Sequence, residues 1–244
     1  MEKVKTILVV GASGATGRLL VEQLLIRGQN VKAMVRSPKS LPEPLKVAPR
    51  LSLIQASISE LSDSEIAKHV DGCDAVASCL GHSLTFKGLF GRPRRLVTDA
   101  ARRLCSAAQL SNPGFPTRFV LMNTAGNRNR DLDEPISFAQ KCVIGLLRLL
   151  LPPHADNEDA ADYLRTEIGQ NDPLIEWAAV RPDGLVDNES VTEYELYASP
   201  TRSAIFDAGK TSRINVADFM SDLITDERIW HKWKGQMPVI YNKE

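Results

Sequence analysis

Short apolar runs alternate with helix-period segments along most of this chain. TILVV (6–10) is the first run, and GRLLVEQLLIR (17–27) follows with one apolar face and a stop at Gly28. VKAMVR (31–36), LSLIQA (51–56), DAVASCL (74–80), RFVLMNTA (118–125), LIEWAAVRP (174–182) and MPVIYN (237–242) read as further strands. Between them, Ser62, Asp63 and Ser64 open a short helix. Residues 95–108 give the clearest amphipathic helix, with Leu96, Val97, Ala100, Ala101, Leu104 and Ala108 on one face and arginines on the other. An apolar helix near 136–151 is broken at Pro152-Pro153, and a second runs from about Asp156 to Ile168. Residues 185–212 read as irregular with one short strand, and INVADFMSDLIT (214–225) as a late helix. Strict alternation of strands and helices requires right-handed crossovers, so the expectation is an α/β fold with a doubly wound parallel sheet in three layers. One domain is expected over 1–244, with substrate-side elements from 82–95, 126–155 and 183–212.

The turn after the first strand is the most informative stretch. ILVVGASGATGR (7–18) sets Gly11, Gly14 and Gly17 where a buried strand becomes a helix. One glycine permits the turn, one lets backbone approach a ligand, and one lets helix and strand pack closely. The free N–H groups of that helix then face an anion, most often a pyrophosphate, with Ser13, Thr16 and Arg18 as further donors. Strand, helix and second strand stand at the distances a dinucleotide site needs, and the sheet is therefore expected to be Rossmann-like. An NAD site ordinarily carries an acid after the second strand to hold the ribose diol. Here Arg36-Ser37 occupies that place, with Lys39 close by, so NADP(H) is favoured over NAD(H), against a reading of Arg36 as a solvated surface residue.

Lys+Arg and Asp+Glu both number 30. The absence of a basic excess argues against bulk nucleic-acid binding, and equally against acidic polymers or anionic membranes. Cys73, Cys79, Cys105 and Cys142 form no CxxC and lack histidines at zinc-ligand spacing, so no metal is expected and all four read as thiols in a reducing cytosol. The chain enters strand KVKTILVV directly, with no leader visible. CVIGLLRLLL (142–151) is too short to span a bilayer and contains Arg148; it is expected to be a buried helix, with a surface-lying amphipathic segment as the alternative. The expected setting is cytoplasmic, as a monomer or homodimer acting on a small molecule.

In order along the chain, GASGATG (11–17), VRSP (35–38), SCLG (78–81), VLMNTAG (120–126), YLR (163–165), VRPDGL (180–185) and TSRINVADFM (211–220) resemble the atypical short-chain dehydrogenases/reductases. The similar branch is the NmrA-like and biliverdin-reductase-B/flavin-reductase-like one. The resemblance implies a cofactor-contacting set of Gly11, Ser13, Gly14, Ala15, Thr16, Gly17, Arg36, Ser37, Ser57, Ile58, Cys79, Leu80, Gly81, Thr124, Pro182, Gly184 and Leu185. It puts the nicotinamide near Gly81 and Thr124, covered by the turn Pro182-Asp183-Gly184-Leu185. Two departures stand out. The family's Gly-Asp after strand three is Ala56-Ser57 here, which passes the adenine contact to Ser57 or nearby backbone. No tyrosine has a lysine four residues on; Tyr163 is followed by Glu167. Ser137 and Lys141 have that spacing and read either as a remnant of the pair or as plain helix surface.

Hydride can pass to an already electrophilic acceptor with little help from the protein, so a missing Tyr-x-x-x-Lys pair leaves reduction open. Thr124, Asn123 and His82 are the candidate catalytic residues: a hydroxyl donor, a carbonyl-orienting amide and an imidazole acid. Asp156, Glu158 and Asp159, after His154, read as first-turn acids that complement a helix dipole. Phe86, Leu89 and Phe90 suggest a lid, a dimer patch or packing; Arg92, Arg94 and Arg95 suggest attraction of an acidic substrate or a solvated helix start. Asp99 is placed to pair with Arg103. The leading expectation is an NADPH-dependent reductase of a flavin, quinone or similar acceptor. A non-catalytic NADP(H)-binding sensor is the alternative, and a sugar-nucleotide epimerase is disfavoured by the missing tyrosine and the short C-terminal part.

Overall fold

The structure, a computed structural model, describes residues 3–82, 85, 91, 93–111, 114–134 and 137–243. Eight strands form the main sheet: β1 (Thr6–Val10), β2 (Asn30–Val35), β3 (Leu51–Gln55), β4 (Ala75–Ser78), β5 (Thr117–Met122), β6 (Ile175–Pro182), β8 (Tyr194–Tyr197) and β10 (Val239–Asn242). β7 (Gly184–Val186) and β9 (Lys210–Ser212) make a separate parallel pair. The main order is β3-β2-β1-β4-β5-β6-β10-β8, parallel throughout except for β8, which runs antiparallel on β10. The chain leaves β1 in opposite directions toward β2 and toward β4, so a crevice opens at their carboxyl ends.

Period-two alternation within the strands decides the layers. Leu8, Val10, Val76, Phe119, Leu121 and Trp177 face α3 (Asp63–Val70), α4 (Leu96–Ser111) and α6 (Pro152–Tyr163). Ile7, Val9, Ala77, Val120 and Val180 face α1 (Ala15–Ile26), α7 (Arg213–Thr225) and α8 (Glu227–Trp233). A one-turn α2 (Glu43–Lys46) and α5 (Phe138–Leu150) complete the helices among the described residues. The expected doubly wound α/β sheet is therefore the fold.

Several boundaries and one helix differ from the sequence reading. The helix after Leu151 begins at Pro152 itself, because proline's fixed φ suits the first helical position; it widens into a π-turn over Leu164–Ile168 and ends at Gly169. α8 escapes the pattern reading, being only seven residues long, although Asp226 caps it by accepting from the Arg228 and Ile229 amides. Residues 185–212 hold parts of three short strands. The largest correction concerns α5, expected to be buried. Only Ile144 of its described side chains is buried, while Phe138, Leu146 and Leu150 are 82%, 55% and 54% exposed. Its apolar residues exceed what one contact with α6 can cover. The expected Asp99–Arg103 pair is also replaced: Arg103 reaches Asp63 at 2.7 Å and the carbonyls of Ile58 and Leu61, stapling the loop after β3 to α4.

Candidate functional site

The glycine turn is shaped by backbone contact. Gly11 sits at φ +75°, and a Cβ there would lie 2.6 Å from the Cys79 carbonyl at the end of β4. A Cβ on Gly17 would lie 2.2 Å from the Gly11 carbonyl oxygen. Both positions exclude any side chain, so β1, α1 and β4 meet with only backbone between them. Gly14 differs: it is exposed at φ −70°, its amide donates to Gly11 at 3.0 Å, and it is the N-cap of α1. No side chain caps that helix and no acid lies in its first turn, which leaves its N–H groups and positive end open to an anion. Ser13 is half-buried beside the opening, Ala15 is exposed, and Thr16 is nearly buried. The turn fits a coenzyme diphosphate: a tight backbone turn that only glycine allows, and unopposed donors at the helix start.

The other predicted cofactor residues lie at the carboxyl ends of the neighbouring strands. Arg36 is exposed just past β2 and has no ion-pair partner among the described residues, and Ser37 starts the short 3-10 turn Pro38–Ser40. Past β3, the Ser57 hydroxyl shares a 2.9 Å hydrogen bond with Ser59, and Ile58 is buried with its carbonyl taken by Arg103. Past β4, the Cys79 amide donates to Val10 at 2.9 Å, and burial pushes its thiol up to about 12, so it stays a neutral thiol. Leu80 is half-buried and Gly81 exposed, with nothing near the position of a Cβ.

The three catalytic candidates separate in character. The Thr124 hydroxyl oxygen accepts from the Gly126 amide at 3.2 Å, which leaves its proton free to donate. The Asn123 side chain is spent on structure: it donates to the Asn157 carbonyl at 3.0 Å and accepts from the Thr124 amide at 2.8 Å and from the Asn127 side chain. His82 lies 2.8 Å from Asp156 with its side chain 6% exposed. Asp156 is no first-turn acid of its own helix. Its two oxygens accept from the Val97 and Thr98 amides at 2.8 and 2.9 Å, so it caps α4 from α6 while holding His82. Glu158 pairs with Arg148 and Asp159 with Arg95. Ser137 caps α5 by accepting from the Gln140 amide at 3.1 Å, and Lys141 is exposed one turn on. Tyr163 is buried under the Arg102 guanidinium, 4.6 Å from its ring, and burial raises its phenol well above the ordinary value. Phe86, Leu89, Phe90 and Arg92 lie outside the described residues.

The model of the NAD(P)H-binding family matches residues 11–227. The chain belongs to that family. The motifs that resemble the atypical short-chain dehydrogenases/reductases, from GASGATG to TSRINVADFM, all lie within that match. A short-chain dehydrogenase/reductase from Veillonella parvula in complex with NADP is 17% identical at TM-score 0.71, over 98% of this chain and 95% of that one. A protein of Streptococcus pneumoniae described as an NADH-flavin reductase is 21% identical at TM-score 0.65, over 98% and 100%. At these identities the likeness is one of fold. An uncharacterised chloroplastic protein of Arabidopsis thaliana is 38% identical over 79 residues, 32% of this chain and only 28% of that relative.

Within this NAD(P)H-binding fold, one residue with no role in the sequence reading holds the far side of the crevice. Arg181, fully buried near the end of β6, pairs with Glu134 at 2.7 Å and donates to the carbonyls of Met237, Asn127 and Ala198. It ties together the segment after β5, the approach to β10 and the end of β8. The Arg-Pro pair was its only visible signal. Pro182 accepts from the Ala125 amide at 2.8 Å, and Asp183 accepts from the Gly209 amide at 2.8 Å. A Cβ on Gly184 would lie 2.9 Å from the Gly209 carbonyl oxygen, and half-buried Leu185 follows in β7. No helix among the described residues is long and apolar enough to cross a membrane, and no cluster of metal-ligating side chains occurs among them.

Proposed function

We propose that this protein is an NADPH-dependent reductase that passes hydride to a small electrophilic acceptor such as a flavin or quinone. The observation that carries the reading is the uncapped, acid-free start of α1 above a turn where Gly11 and Gly17 admit no side chain. Arg36, without an acidic partner among the described residues, favours the 2′-phosphate of NADP(H) over the diol of NAD(H). Ser57 and the neighbouring backbone take the adenine side, and Gly81, Thr124 and the turn from Pro182 to Leu185 take the nicotinamide side. The reduced nicotinamide supplies the hydride when bound. Thr124 offers its hydroxyl as a hydrogen-bond donor to a quinone-type acceptor oxygen, solvent supplies the proton that completes the reduction, and Asn123, anchored to α6, fixes Thr124 in place. Tyr163 is excluded as a proton donor by its burial beneath Arg102. Absorbance of NADPH, followed with a panel of quinones and flavins, tests the reading. Oxidation above background with at least one acceptor is expected, and none across the panel overturns it.

A second reading, a non-catalytic NADP(H) sensor, is favoured by the exposed apolar side chains of α5, a surface suited to a partner. Coenzyme binding without turnover, combined with a redox-dependent partner affinity, would select it. The Arabidopsis relative carries a chloroplastic name, so the compartment is proposed only as one that keeps NADPH reduced.

A further inference from the structure

A cavity of about 320 Å³ lies between the segment after β5, the inner side of α5 and the second half of α6. Its wall starts at Gly126, next to Thr124: a Cβ there would come within 3.6 Å of both the Thr124 hydroxyl and the His154 ring. Ile144 and Ala161 give the cavity an apolar side. The volume lies at the small end of the range for ligand pockets.

The charges around it do not balance. Arg128, Arg130, Lys141 and Arg148 line the cavity against only Glu158 and Asp162. Both carboxylates are already engaged. Glu158 takes Arg148 through two hydrogen bonds of 2.6 and 2.9 Å, and Asp162 takes Arg130 at 2.6 Å while also meeting Arg165 at 3.3 Å. Among the described residues Arg128 has only Asp133 at 3.6 Å, a fully solvated carboxylate that holds it weakly. Lys141 has no carboxylate partner among the described residues. His154 adds no charge at neutral pH, because burial holds its imidazole below the ordinary value despite the pull of Glu158. Two cations therefore face a partly apolar hollow adjoining the proposed donor hydroxyl.

We propose that this cavity selects acceptors bearing an anionic substituent, a carboxylate, sulfonate or phosphate, on a flat apolar body. Lys141 and Arg128 hold the anion, Ile144 packs against the body, and the reducible end points toward Thr124. This assignment rests on the reductase reading for turnover, but not for binding. Ser137 and Lys141 are then unrelated to the missing Tyr-x-x-x-Lys pair: the serine is a helix cap and the lysine a specificity residue.

The test compares a naphthoquinone with its monosulfonate, using wild-type protein, Lys141→Gln and Arg128→Gln. Two readouts are taken at low salt, where exposed charges act most strongly: kcat/KM with NADPH, and calorimetric binding of the sulfonate to NADP⁺-loaded protein. A preference for the sulfonate is expected, with the sulfonate-to-neutral ratio falling about tenfold in Lys141→Gln, as one lost charge-assisted hydrogen bond implies. Lys141→Arg should keep most of the preference. No turnover of either quinone, or of the flavins of the wider panel, with sulfonate binding that weakens in Lys141→Gln, would uphold the anion site and overturn the reductase reading. Equal use of the two quinones, a ratio unmoved by Lys141→Gln, or absence of both turnover and sulfonate binding would overturn the anion site.

Discussion

At the β1 end of the crevice, the contacts that shape the site run from Gly11 to Gly14, from Gly11 to Gly17, and across to the adjacent strand β4. At the β5 end they come from far along the chain. Asn123 is held by a residue 34 positions away, His82 by one 74 away, and Arg181 by one 47 away. The first end is fixed by backbone sterics, where any added carbon collides. The second is fixed by buried side-chain networks whose members must all be present. A turn of the first kind tolerates change except at Gly11 and Gly17, whereas a network of the second kind fails when one partner is removed.

The sharpest way to break this contrast is at Arg181. Arg181→Met leaves the Glu134 carboxylate buried without its cation, which should cost about 3–5 kcal/mol in urea unfolding. Arg181→Met combined with Glu134→Gln should recover part of that loss; a single variant as stable as wild type would remove the network from the account. Next is Gly17→Ala, whose methyl meets the Gly11 carbonyl oxygen and should cost about 1–3 kcal/mol through overpacking, read by the same unfolding curve. Asp156→Ala uncaps α4 and releases His82, with an expected cost of about 1–2 kcal/mol and faster amide hydrogen exchange at Val97 and Thr98. The smallest expected effect belongs to Arg36→Ala. It should weaken NADPH about tenfold, leave NADH within about twofold and leave stability unaltered, as loss of a solvent-facing phosphate contact implies. Equal losses for the two coenzymes would remove the 2′-phosphate assignment.

The legibility of the sequence follows the same division. ILVVGASGATGR announced strand, turn and helix together, because the glycine requirement is local and periodicity marks both neighbours. The sheet and its layers were equally open to reading, since β5 and β6 carry uninterrupted apolar runs. Asp156 was misread because sequence proximity assigns an acid to its own helix, whereas the fold turns it toward α4. Arg103 was misread for the same reason, with Asp99 one turn away and Asp63 on another helix. α5 was expected in the core because apolar content signals burial only when a covering surface exists, and no local signal reports that surface. Hidden in the family's Arg-Pro motif, Arg181 showed its purpose only once Glu134 and three carbonyls converged on it.

The most direct test of the coenzyme site is calorimetric titration of NADPH into wild-type protein and Gly14→Val. Gly14 is exposed at an ordinary φ, and a Cβ there would meet the Gly11 carbonyl oxygen at 3.2 Å, a contact that a small backbone shift relieves, while the valine side chain fills the space at the open end of α1. The expected result is saturable heat with wild type and none with Gly14→Val, with both proteins unfolding cooperatively on heating. Heat of equal size from both proteins, or none from wild type, would contradict a coenzyme diphosphate seated on that helix.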